Sequence, residues 1–407
     1  MAQKKESMFR GVPVNFILIP LALVFAMHAG LIMYYNGALI FTGIESYFSL
    51  HRASEIAAAN FTDLAAKAPL KKEMNGYLYP LIVSLIAKAG GSANLVMILY
   101  ILGLGVFGFT SALFYRAADR LMGGTAAFAA LLVYMTAAPV ILAHFSGGDV
   151  LLLFALFALN AYHAFFSVPA GRYKGIIITA VLMALVSMPG AVYALASLVY
   201  AAAHARKKRF AKAYAAQWGI HLGVFILPAL AILSYTFIDR WNAEFFSASA
   251  LVNTKTFMVD TFFKDGFLWS KTLPFFFAVF FYITLFVKAA DDIKARRVSF
   301  ITYCLFMTAA ALLLGFFAML PASTDTLYFM APFYFIIVLI GAAGIKEFAG
   351  YMNLQGKTVF TREHILYGLL VFMLMYNVLF SFAKITERAA AARHIAGHEY
   401  VQKFIER

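Results

Sequence analysis

The chain has 407 residues, of which 63% are hydrophobic and only 13% charged, with 33 Lys and Arg against 19 Asp and Glu for a net charge of +14. An ordinary soluble domain is about 45–50% apolar and about 25% charged, so a mean hydropathy of +0.82 excludes a water-soluble fold. It also leaves no soluble basic domain that could bind nucleic acid, and the positive balance instead serves to orient loops across a membrane.

Backbone inside a bilayer must satisfy its own hydrogen bonds, so the apolar runs are either helices or barrel strands. Strands of a barrel would alternate apolar and polar residues, and these runs do not. The expected fold is therefore all-α and polytopic, with about eleven spans of about 20 residues each. They fall near 14–36, 93–115, 124–143, 150–168, 175–188, 190–204, 217–238, 272–290, 299–320, 327–345 and 364–383. The first follows Lys4, Lys5 and Arg10, but its apolar run is too long for a signal peptide and lacks a small-residue cleavage site, so a retained span is expected. The fifth and sixth are short and meet at Ser187-Met188-Pro189-Gly190, which fits either a tight turn or one broken helix.

With the N-terminus on the cytoplasmic side, every second loop is basic. Those loops carry Arg116 and Arg120, Arg172 and Lys174, Arg206 to Arg209, Lys288 to Arg297, and Lys346 to Arg362. This is the positive-inside pattern. No internal repeat or linker divides residues 1–407, so a single transmembrane domain is expected. Its largest outer segments are 37–92, 239–271 and the tail 384–407. Within the first, Tyr77 to Gly91 is apolar but too short to span, which predicts a helix at the outer interface. The tail has apolar residues at helical spacing (Ile385, Ala389, Ala392, Ile395) and is expected to lie along the membrane. The single cysteine, Cys304, sits in an apolar run and reads as a small buried hydrophobe.

Acidic residues are scarce, and those at outer membrane edges are the informative ones. Glu45 follows the first span closely in Thr42-Gly43-Ile44-Glu45-Ser46-Tyr47, and Asp149 opens the fourth in His144-Phe145-Ser146-Gly147-Gly148-Asp149. A carboxylate at such a boundary is costly unless water, a cation or a partner meets it. Asp149 has an ordinary structural use as well, as a helix N-cap. The outer cations are Arg52, Lys71, Lys72, Arg240, Lys255 and Lys271, any of which could face lipid headgroups instead of a ligand. His51 and His144 lie close in sequence to the two acids. No His-x-x-x-His spacing supports a metal, and a divalent ion is left open.

Glu45-Ser46-Tyr47, then Tyr77-Leu78-Tyr79-Pro80-Leu81 ending at Ala89-Gly90-Gly91, then Gly148-Asp149-Val150-Leu151-Leu152-Leu153 occur in that order. This succession resembles the class-C membrane glycosyltransferases, in particular the protein mannosyltransferase and aminoarabinose transferase group, over roughly residues 14–345. The resemblance implies sugar transfer from a polyprenyl-phosphate donor to an acceptor hydroxyl on the extracytoplasmic side, in a cell-envelope membrane such as a bacterial inner membrane. It implies Glu45 as general base and Asp149 as a second catalytic acid that binds acceptor, orients a partner or helps hold a metal. It further implies that Arg52, Lys71, Lys72, Tyr77, Tyr79, Arg240, Lys255, Lys271 and His144 contact substrate or its phosphate. The small outer surface suits an acceptor delivered by the membrane, a lipid or lipid-linked glycan.

Two other readings fit the composition. A transporter or flippase of lipid-linked or anionic substrates would place ionisable groups near midplane, where His28, His163 and His221 are the few available. A non-catalytic scaffold would not require so long a first outer loop.

Overall fold

A computed structural model describes residues 78–90, 95–145, 148–207, 275–318 and 331–354, parts of 364–383, and isolated positions at 18, 22, 25 and 26. Its described elements are all helical, and no strand occurs among the described residues. In chain order they are α1 (Leu78–Gly90), α2 (Leu95–Met122), α3 (Gly124–Thr136), α4 (Ala138–Phe145), α5 (Val150–Tyr162) running into a π-helix (His163–Ser167), α6 (Lys174–Val186), α7 (Met188–Lys207), α8 (Phe275–Lys294), α9 (Phe300–Ala318), and a 3₁₀ turn (Ala331–Phe333) leading into α10 (Tyr334–Leu354). A further apolar helical segment covers Leu366–Leu379.

Three helices, Ile98–Met122, Val150–Ser167 and Ala331–Tyr351, are long and apolar enough to cross a membrane, and shorter apolar helices accompany them. The chain is an all-α integral membrane protein. Every expected span that falls on described residues has a helical counterpart, whereas 217–238 and nearly all of 14–36 lie outside them. Ala331–Tyr351 is the most enclosed of the three long helices, with 72% of its apolar window buried against 50% and 61%, so α10 is the central one. Its Phe335 meets the edges of Phe114 and Tyr134, which stack on each other with centroids 4.4 Å apart. Aromatic packing of this kind holds helices together where lipid offers no hydrophobic driving force between them.

Two spans depart from the sequence expectation. The one expected over 124–143 is broken at Ala137, whose backbone is extended (φ −67, ψ 125). Pro139 has no N–H for the carbonyl four residues back, so the helix stops and restarts as α4. The helix expected over 93–115 continues to Met122 and carries Arg116 and Arg120 in its final turns. Arg206 and Lys207, Lys288 and Lys294, and Lys346 likewise sit on helices instead of in loops. Cations in or near a C-terminal turn oppose the negative end of the helix dipole, and their long stems reach water from inside the bilayer edge.

Antiparallel helices bring these turns to one end of the bundle. Lys346 donates to the Met122 carbonyl at 2.8 Å, Lys288 pairs with Glu347 at 2.9 Å, and the guanidiniums of Arg116 and Arg120 lie over Phe166. At the same end Asp292, only 3% exposed, ties the α8–α9 connection by accepting from Arg297 and from the hydroxyls of Ser299 and Thr302. Arg296 in that connection has φ 49. The α2, α5, α7, α8 and α10 helices all terminate at this basic end, so the α1 helix, the start of α5 and the α6–α7 turn occupy the other.

That turn resolves the alternative left open by Ser187-Met188-Pro189-Gly190. Ser187 is extended (φ −165, ψ 165), and its hydroxyl accepts from the Gly190 N–H at 3.3 Å as the N-cap of α7. Pro189 falls in the first turn, where its missing N–H costs nothing. Tyr173, just before α6, and His204, near the end of α7, hydrogen bond at 2.8 Å. The two helices are therefore a closed antiparallel hairpin.

Candidate functional site

The end opposite the basic turns holds the described members of the motifs singled out from sequence. Gly148 and Asp149 form the turn that starts α5, with the Asp149 carbonyl accepting from Leu153 at 3.0 Å. Asp149 occupies the N-cap position but has helical dihedrals (φ −63, ψ −21), and its carboxylate makes no capping hydrogen bond. It is 1% exposed. The ordinary reason for an aspartate at a helix start thus does not apply here. What keeps a buried carboxylate favourable at that position is the positive end of the α5 dipole, together with what it meets from other elements.

One such neighbour is Tyr79. It lies in the first turn of α1, a 13-residue helix too short to span, and is also 1% exposed. Burial pushes the Tyr79 phenol well above its ordinary range, and the nearby Asp149 charge raises it further. The phenol is therefore fixed as an O–H, able to donate. Its helix forms because Leu78, Pro80 and Leu81 supply apolar residues with proline in the first turn, and it buries Tyr79, Pro80, Val83 and Ser84 while Leu85 faces outward. Tyr79 and Asp149, about 70 residues apart in sequence and drawn from two of the motifs, thus lie close enough for the charge of one to act on the phenol of the other.

His144, five residues before Asp149, is 1% exposed at the end of α4. Its Nδ1 lies 2.6 Å from the Val140 carbonyl, which can only accept, so the proton is on Nδ1. Its Nε2 lies 3.1 Å from the Thr110 hydroxyl of α2, and the ring sits between Phe107 and Phe154 at centroid distances of 5.1 and 4.5 Å. Both ring nitrogens are engaged within the bundle, and the ring braces α4 against α2 and α5. Thr110 was not legible beforehand, because a single threonine in an apolar run has no periodic or motif signal.

Glu45, Arg52, Lys71, Lys72, Tyr77, Arg240, Lys255 and Lys271 lie outside the described residues, as do His28, His51 and His221. Among the described residues no group of three or more His, Cys, Asp or Glu is arranged to hold a metal ion. His163 lies not at midplane but in the π-helix that ends the α5 span at the basic end, hydrogen bonded to Ser167 at 3.0 Å and seated against Gly175.

No protein family and no curated protein matches the chain. Among solved structures the chain is similar to the crystal structure of ArnT from Cupriavidus metallidurans bound to undecaprenyl phosphate. The identity is 15% and the TM-score 0.40, over 94% of this chain and 75% of that one.

Proposed function

We propose that the chain is a membrane glycosyltransferase that moves a sugar from a polyprenyl-phosphate donor to the hydroxyl of a lipid or lipid-linked glycan. The reaction takes place on the extracytoplasmic side of a bacterial inner membrane, with the N-terminus cytoplasmic. The observation that carries this reading is the buried, non-capping Asp149 carboxylate beside Tyr79. It joins the two described motifs that carry the class-C resemblance, at the end of the bundle away from the basic turns.

Glycosyl transfer must deprotonate a weakly acidic alcohol while a phosphate leaves, so it needs a positioned base and cationic stabilisation of the leaving group. In this reading Glu45 takes the acceptor proton, the acceptor oxygen attacks the anomeric carbon, and the bond to the phosphate oxygen breaks. Arg52, Lys71, Lys72, Arg240, Lys255 and Lys271 supply the cations for the polyprenyl phosphate that departs. Asp149 orients the acceptor or a partner group, with Tyr79 holding the carboxylate in place, and His144 stiffens the α4–α5 turn from which Asp149 projects.

A reconstituted assay with polyprenyl-phosphate sugars and total membrane lipid tests the proposal. General-base positioning contributes roughly 10²–10⁴-fold, so Glu45→Gln is expected to lower turnover by that order. Asp149→Asn should lower it as well, with the thermal transition of both proteins retained. Full activity in both variants would remove both residues from the chemistry. Movement of intact lipid-linked sugar across the vesicle wall, without transfer to any acceptor, would assign the chain to transport.

A further inference from the structure

The direction of α4 is not inherited from the helix before it. The chain is extended at Ala137 and Pro139 supplies no N–H, so no continuous ladder of hydrogen bonds carries the axis of α3 across the break. The 8 residues of α4 form an arm, about 12 Å long at about 1.5 Å per residue. Its far end holds His144, five residues before Asp149. A tilt of about 5° at the break moves that end by about 1 Å, and a misplacement of about 1 Å at a reacting centre can cost about 10²-fold in rate.

Two side chains from other helices hold the arm, one near each end. At the break the Ala137 N–H donates to the Tyr134 carbonyl at 3.3 Å, so the Val133 carbonyl loses the donor that an unbroken helix would give it. Asn377, 1% exposed on the Leu366–Leu379 segment, donates from Nδ2 to that carbonyl at 3.0 Å. The Thr136 hydroxyl lies closer to Leu132, at 2.7 Å, than to Val133, at 3.3 Å. Met375, Val378 and Leu379 around Asn377 face outward, which leaves Asn377 as the polar group this stretch turns into the bundle. Its Oδ1 is buried with no hydrogen-bond partner among the described residues, so the bond to Val133 is what compensates for an amide there.

At the far end, the Thr110 hydroxyl lies 3.1 Å from both the Phe107 carbonyl and His144 Nε2, and it has a single proton to give. The Phe107 carbonyl already accepts the Ser111 N–H in the helical ladder of α2. His144 Nε2, with the ring proton on Nδ1, can only accept, and a buried acceptor left without a donor bears its full desolvation cost. The hydroxyl proton therefore goes to His144, and this bond ties the tip of the arm to α2.

We propose that Asn377 and Thr110 are positioning residues for the Asp149 end, the first fixing the root of α4 and the second its tip, so that the last described helix and α2 together set where Asp149 stands. The inference rests on the reading of that end as the site of sugar transfer.

The test pairs hydrogen–deuterium exchange of the full chain in detergent with the reconstituted transfer assay. Thr110→Val keeps the side-chain shape and removes the hydroxyl. That variant and Asn377→Leu should each raise exchange over 138–149 by about threefold, the contribution of one interhelical hydrogen bond in a membrane protein, with α6 and α7 unchanged. Both should lower kcat by about 10- to 10²-fold with the KM for donor unchanged, because lost alignment is felt in the transition state. Thr110→Ser should restore both readouts. Thr308→Val, which removes another buried hydroxyl, one that donates to the Cys304 carbonyl of its own helix, should change neither. Should Asn377→Leu fail to fold, Asn377→Gln, with its amide one methylene farther out, should raise the same exchange. Wild-type exchange over 138–149 in the Thr110 and Asn377 variants, an equal rise across α6 and α7, or raised exchange with unchanged kcat would each overturn the proposal. A wild type that transfers no sugar counts against the proposed function alone, and the exchange comparison still decides whether these two bonds hold the arm.

Discussion

Asn160 shows how a polar side chain is made tolerable in the middle of this bundle. It is fully buried, and its amide nitrogen faces the Ile176 carbonyl at 3.0 Å, the Thr179 hydroxyl at 2.8 Å and the Ser197 hydroxyl at 3.4 Å. Those hydroxyls spend their own protons on the backbone of their helices, Thr179 on Gly175 and Ile176, Ser197 on Ala194, so they present lone pairs to Asn160. The Asn160 oxygen in turn accepts from the Tyr303 hydroxyl at 2.9 Å. One side chain thereby joins α5, α6, α7 and α9. Asn160→Ala should destabilise by about 2 kcal/mol, because it strands the buried Tyr303 hydroxyl as well as opening a void. Tyr303→Phe removes a single interhelical bond, worth about 0.6 kcal/mol in membrane proteins. Thermal unfolding in detergent should rank the two in that order, and equal losses would mean that the amide's donor bonds contribute nothing.

At the scale of the element, the α6–α7 hairpin is held by close backbone approach. A Cβ on Gly190 would fall 1.9 Å from the Met183 carbonyl oxygen and 2.8 Å from its carbon, and backbone cannot rotate away as a side chain can. Gly190→Ala should therefore cost about 3 kcal/mol through overpacking. Gly105, in α2 with nothing within 4 Å of its Cβ position, should gain about 0.5–1 kcal/mol as alanine, the ordinary helix propensity difference. Opposite signs in the two melting shifts check this. The hairpin was legible in sequence because Ser187, Pro189 and Gly190 act locally, and the α1 helix because its apolar run ends at glycines. Asp149 was legible as an isolated acid at a membrane edge, and its proximity to Tyr79 was not, since no local signal encodes a contact across about 70 residues. The break at Ala137 was missed although Pro139 announces it, because hydropathy stays high across both halves. The extension of α2 through Arg116 and Arg120 was missed for the opposite reason. A charge was read as the end of a span, whereas aromatic rings and helix dipoles let arginine remain on the helix.

For the whole molecule, the two ends differ in kind. One end carries Arg116, Arg120, Arg206, Lys207, Lys288, Lys294 and Lys346 on helices, and Arg296 and Arg297 in a connection. The other holds Asp149, His144 and Tyr79, all buried. Basic residues retained at one face fix orientation during insertion, so the end that holds Asp149 should face away from the cytoplasm. This assigns sides to residues that never contact one another, and labelling can read it. Cys304 is fully buried, so Cys304→Ala gives a background without a native thiol at little cost in packing. On that background, single cysteines at the exposed positions Arg206 and Lys294 should react with a membrane-impermeant maleimide only in inverted vesicles. A cysteine at the exposed Ala89 of α1 should react only in right-side-out ones. If Ala89 and Lys294 reacted from the same side, the α1 helix would not belong to the end that carries Asp149, and the pairing of Tyr79 with Asp149 on which the proposed chemistry rests would fall with it.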